Sequence, residues 1–183
     1  MEWLEGLKGG APTVIGAVIG SLLGFITLVL GALFNAHLNR VRDDNLRRIE
    51  TRGVAAAIRA ELSSIEDTLT HNAKRLLEEP PTESESFLLP DLSHSVRMFP
   101  ALANKLGLLD DTVVIMEIIQ TYIVVDQYCE NCLVLGGELR TEMPNHRRIL
   151  LMPSKRAKTV AKMNKEIAER VQKAMNLLNK YLD

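Results

Sequence analysis

Cys129 and Cys132 form a C-x-x-C pair, the spacing used by zinc sites and by thiol redox centres. Zinc requires two further ligands. His71, His94 and His146 are the candidates, and none stands in a paired spacing. A thiol redox pair of the thioredoxin type needs a strand-to-helix context, whereas these cysteines fall inside a long apolar stretch that reads as helix. Their expected role is therefore packing as reduced thiols in a core, with a metal or redox role as the alternative. The chain contains no nucleophile elbow, Gly-rich phosphate loop, paired metal-binding histidines or recognisable catalytic triad. The reading is non-enzymatic, with no cofactor and no metal.

The second candidate is electrostatic. Between Arg140 and Lys165, eight basic residues face Glu142 alone. Within them, Arg147, Arg148, Lys155, Arg156 and Lys158 flank a loop holding Pro144, His146 and Pro153 and the start of the last helix, where free backbone N–H groups also favour anions. A phosphate-bearing ligand, anionic lipid or an acidic protein partner would suit this segment. The competing reading is internal or intersubunit pairing with the acidic stretch Glu78 to Asp91. With a net charge of −1, the chain lacks the basic excess of a duplex nucleic-acid binder.

These residues are positioned by an architecture that begins in the membrane. From Val14 to Phe34 there is no Asp, Glu, Lys or Arg, and a helix of this length spans about 31 Å, the hydrocarbon thickness of a bilayer. A lone span must satisfy its backbone groups internally, which only a helix does. Glu2 and Glu5 before the run, its length and the lack of an A-x-A closure argue against a cleaved signal peptide. Arg40, Arg42, Arg47 and Arg48 follow it, so the positive-inside bias places the amino end outside and the rest in the cytoplasm, at the inner membrane. Trp3 suits the outer headgroup level.

Gly16, Gly20 and Gly24 recur every four residues and Gly31 returns to nearly the same face, a seam that lets two membrane helices approach closely. Self-association is the expectation. Ser21, Thr13 and Thr27 are the polar residues of the span, too few for a permanent aqueous channel. The juxtamembrane arginines can also meet anionic lipid.

Beyond the span, Val54, Ile58, Leu62, Ile65, Leu69, Ala73 and Leu76 step by three or four, predicting that the membrane helix continues to about residue 79. The expected divisions are an outer tail (1–12), a transmembrane helix (13–35), a membrane-proximal long helix (36–79), an acidic proline-containing hinge (80–91) and a helical bundle (92–183). In the bundle, Asp91 or Ser93 is expected to cap a short helix that bends at Pro100 and stops at a left-handed Gly107. Asp110 or Asp111 caps an apolar helix ended by Gly136 and Gly137. Glu117, Asp126 and Glu130 make this a central buried helix rather than a second span. Ser154 is expected to cap a last helix whose stripe includes Val160, Ile167, Val171, Ala174 and Leu178. The fold class is all-α, consistent with 4% aromatics.

The functional expectation is a homo-oligomeric, single-pass membrane protein that presents a cytosolic helical docking or sensing domain. The alternative is a membrane-perturbing effector, triggered by an anionic ligand or partner. In layout alone the chain is similar to small bacterial inner-membrane proteins and to membrane effectors of bacterial defence systems.

Overall fold

A computed structural model describes residues 2–82, 85–92, 95–142 and 147–182, with backbone alone for residues 2–13, 142 and 147. Residues Ser93, His94, Pro144 and His146, named above, lie outside the described residues, as do the side chains of Trp3, Thr13 and Arg147. The chain forms two units, one up to Arg48 and the other from Ile49 onward.

The first unit is helix throughout its described residues, being the amino-terminal part of α1 (Glu2–Glu78). The expected outer tail is thus helical from Glu2. Val14 to Phe34 have all their side chains exposed. Among the described residues, one helix, near the amino end, is long and apolar enough to cross a membrane.

The second unit contains the core. Along α1, Val54, Ile58, Leu62, Ile65, Leu69, Ala73 and Leu76 are all buried, so the spacing that predicts a helix also marks its inner face. α1 stops at Glu78, ahead of Pro80 and Pro81, which can neither donate to the ladder nor leave the preceding residue helical. The expected hinge is corrected next. Ser86–Pro90 is a strand, β1, with Phe87 and Leu89 inward and Leu88 outward, the alternation of a half-buried strand.

The expected short helix, capped by Asp91 or Ser93 and running to Gly107, is also corrected. α2 occupies only Met98–Leu102 and passes into a 3-10 turn over Ala103–Leu108. Gly107 lies inside that turn, and the glycine with positive φ is Gly136, at 90°. α3 (Thr112–Val134) starts on Asp111, whose carboxylate accepts the N–H groups of Val113 and Val114. It ends in a Schellman motif. The Gly136 N–H bonds the Leu133 carbonyl and the Gly137 N–H bonds the Cys132 carbonyl, both at 2.9 Å. Only one face of α3 is buried, through Val114, Ile118, Tyr122, Val125, Tyr128 and Cys132. The expectation of a helix buried all round is therefore corrected to a covering helix.

The expected loop around Arg147 is two strands, β2 (Glu138–Glu142) and β3 (Arg147–Pro153). β3 lies between β1 and β2 and is antiparallel to both, setting Phe87 opposite Met152 and Leu89 opposite Leu150. A 3-10 turn, Ser154–Arg156, precedes α4 (Ala157–Leu178), so Ser154 is not its cap. The cap position is Arg156, with no side-chain hydrogen bond. α4 buries Val160, Ile167, Val171, Ala174 and Leu178 as expected. The described residues are 81% helical, so the all-α expectation holds in the main and the small sheet is its correction.

Candidate functional site

The membrane-length segment carries the most pronounced chemistry in the chain: an uninterrupted apolar surface. Leu22, Leu23, Phe25, Leu28, Leu30 and Leu33 are each more than half exposed. Water would hydrate every one of these side chains, and transfer to hydrocarbon is favourable in proportion to the area removed from water. Ser21 and Thr27 turn their hydroxyls back onto the carbonyls of Ala17 and Leu23, at 2.8 and 2.9 Å, which leaves neither hydroxyl without an acceptor in an apolar medium. At Gly16, Gly20, Gly24 and Gly31 an added Cβ would meet no atom within 4 Å. The stripe is thus open to a neighbour. Arg40, Arg42, Arg47 and Arg48 follow the apolar segment, all exposed.

Part of the basic segment is engaged in ion pairs. Arg148 on β3 reaches the fully buried Asp91 carboxylate, with Nε 3.1 Å from Oδ2. This pair joins β3 to the end of β1 and falls within the acidic stretch that the sequence offers as internal complement. Arg140 pairs with Glu138, Lys162 with Glu166 and Lys165 with Glu169. Lys155, Arg156 and Lys158 remain exposed, at the 3-10 turn and the first turn of α4.

The cysteines sit on the buried face of α3. Cys132 is fully enclosed and Cys129 nearly so, and both are free thiols. Burial pushes the Cys132 thiol up to about 12, and burial together with the nearby Asp91 carboxylate raises Cys129. A thiol held neutral is a poor nucleophile and a poor metal ligand. No group of three or more His, Cys, Asp or Glu among the described residues could hold a metal ion. Neither the protein-family models, nor the curated proteins, nor the solved structures give a match to this chain.

Sequence reasoning misses one polar centre. Glu61, 8% exposed, sits on the inner face of α1 and accepts the Tyr122 hydroxyl at 2.7 Å and the N–H groups of Met98 and Phe99 at 2.6 and 3.1 Å. It also accepts the Arg97 N–H. α2 has no capping side chain of its own. Glu61 supplies the cap from another element, meeting donors that would otherwise have no partner. The Phe99 and Tyr122 rings stack with centroids 4.0 Å apart. A carboxylate interrupting the stripe Ile58, Leu62, Ile65 was the available signal. Clefts bordered by α1 open on this unit, and two are well formed. One, of about 480 Å³, lies between His71, Asn72 and Arg75 of α1 and Leu88 and Pro90 of β1. The other, of about 600 Å³, lies between α1 and α4 beside Leu77 and Ala168.

Proposed function

We propose that this chain is a non-enzymatic, single-pass membrane protein that self-associates and holds a helical docking or sensing domain at the cytoplasmic face of the inner membrane. The observation that carries the reading is the segment Val14–Phe34, which has no charged side chain and no buried one. In a bilayer its apolar surface exchanges water for lipid without loss of any backbone hydrogen bond. The arginines at 40, 42, 47 and 48 support the orientation. The open glycine stripe supports self-association, because close packing of backbones drives helix pairing in lipid. The buried, neutral thiols and the Arg148–Asp91 pair favour binding over chemistry in the second unit, with Lys155, Arg156 and Lys158 as its exposed cations. The test is carbonate extraction and flotation of the full chain, followed by protease treatment of sealed inverted vesicles. Retention in the membrane with the carboxyl-terminal unit digested only from the cytoplasmic side is the expected result. Release by carbonate would end the reading.

A further inference from the structure

β1 is an edge strand, paired to β3 on one side and to no described strand on the other. Its register decides which backbone groups face outward. The Glu85 carbonyl accepts the Ser154 N–H and the Asp91 N–H donates to the Arg148 carbonyl, so the groups of odd-numbered residues point at β3. Those of Ser86 and Leu88 point the other way. On that side the Leu88 carbonyl accepts Arg75 Nη2 of α1 at 2.8 Å, and the Leu88 N–H leaves with no acceptor among the described residues.

The cleft of about 480 Å³ opens between this strand and α1, from Asp67 to Arg75. Asn72 borders it and is only 6% exposed, yet its side chain makes no hydrogen bond among the described residues. Nor is its amide one of the sealed polar atoms of the core, so the amide reaches the cleft. A largely buried carboxamide with no partner costs stability. A carboxamide offers an acceptor beside its donors, the complement of the N–H and C=O of one peptide unit, and a strand edge offers the same pair. The one carboxylate and the one guanidinium of the lining, Asp67 and Arg75, offset each other, so the cleft favours no net charge. We infer that it binds an uncharged, extended peptide segment of a partner protein, added as a fourth strand outside β1. From Asp67 to Arg75 α1 rises about 12 Å, which gives room for about four extended residues. Leu88 and Pro90 supply apolar contact, and Pro90, having no N–H, ends the edge and keeps the added strand short. The inference rests on the docking reading proposed above and names the kind of segment that the second unit docks.

Calorimetric titration of the full chain in nanodiscs with an acetylated, amidated heptapeptide, Ser-Thr-Val-Thr-Val-Thr-Ser, tests it. Saturable one-to-one binding is expected. Leu88→Pro deletes an outward N–H that bonds nothing in the chain, and Asn72→Leu deletes the amide at nearly constant volume; each is expected to weaken binding roughly tenfold or more. Asn72→Leu is also expected to keep or raise the unfolding midpoint, because it removes no hydrogen bond, whereas an amide kept for structure alone would lower it. Leu77→Ala, in the cleft between α1 and α4, is expected to bind as the parent chain does. No saturation at millimolar peptide would overturn the inference, as would binding that Leu88→Pro and Asn72→Leu both leave unchanged. N-methylacetamide binding as tightly as the heptapeptide would replace the strand by a small amide. Slower exchange of the Leu88 N–H at rising protein concentration without peptide would give the edge to a second copy, and also overturn it. Carbonate extraction reads the anchor separately: a chain retained in the membrane that ignores the heptapeptide refutes the cleft and leaves the anchor standing.

Discussion

The Glu61 carboxylate of α1 accepts the Tyr122 hydroxyl of α3 at 2.7 Å, and the same carboxylate caps the start of α2. Three elements distant in sequence therefore meet on one side chain. Glu61→Ala leaves several buried donors unpartnered and is predicted to destabilise the second unit by about 3 kcal/mol. Tyr122→Phe removes one donor and is predicted to cost about 1 kcal/mol. Urea unfolding of the full chain in mild detergent, followed by circular dichroism, checks the ranking. Equal losses would contradict the shared-cap account.

The Arg148–Asp91 pair makes part of the basic segment structural. Removal of Arg148 leaves a buried carboxylate without that partner, and Arg148→Ala is predicted to cost about 1–2 kcal/mol, discounted because the guanidinium is itself partly exposed. Charge reversal at Lys155, Arg156 and Lys158, all exposed, should leave stability within about 0.5 kcal/mol. If that triple variant loses a copurifying partner or anionic vesicles while its unfolding midpoint is unchanged, the exposed cations are a binding surface.

The thiols predict a stability that depends on alkaline pH. Cys132 is held neutral in the folded state up to about 12, whereas its ordinary value is 9.0. Its contribution is therefore complete below pH 9 and is lost as pH rises from about 9 to about 12, because the unfolded chain gives up the proton first. Tyr122 and Tyr128 are also raised, burial being the main cause, and they act with the same sign above 10.0. Cys132→Ala should flatten the onset of the decline near pH 9. Unfolding midpoints that stay constant across this window would refute the account.

Gly137 is fixed by a close approach. An added Cβ would stand 2.4 Å from Met152 Sδ and 2.8 Å from the Cys132 carbonyl oxygen. Gly137→Ala is predicted to cost about 1–3 kcal/mol, since the backbone atom cannot yield as a side chain would. Gly136→Ala strains a positive φ and should cost about 1 kcal/mol. Both effects are read from thermal unfolding.

Gly20→Leu fills the open stripe, at a position where an added Cβ meets nothing within 4 Å beyond its own helical turn. Self-association measured by energy transfer between labelled chains in liposomes is predicted to fall roughly tenfold or more, with the circular dichroism of the second unit unchanged. Undiminished transfer would remove the glycine seam from the interface.

Helices were legible in the sequence wherever burial follows a period near 3.6. The α1 stripe, the Asp111 cap, the α4 stripe and the glycine stop after α3 can all be read from local spacing. The sheet was not legible, because its pairing joins residues 86–90 to 149–153 and its strands are only five to seven residues long. Pro90, Arg147, Arg148 and Pro153 resemble loop punctuation, and only the tertiary partners Phe87, Leu89, Leu150 and Met152 turn them into strands. One member of the basic segment was not legible for the same reason: Arg148 is paired with Asp91, a residue 57 positions earlier. For α3, composition alone suggested enclosure on all sides, whereas the structure leaves Val113, Met116, Ile123 and Val134 uncovered.

The order of strands in the sheet has a consequence during synthesis. β3 is the middle strand and the last of the three to leave the ribosome, so β1 and β2 have nothing to pair with until residue 153 has emerged. By then α1 has emerged and its inner face waits uncovered. Nascent chains are therefore most open to chaperones and proteases until the final third is complete.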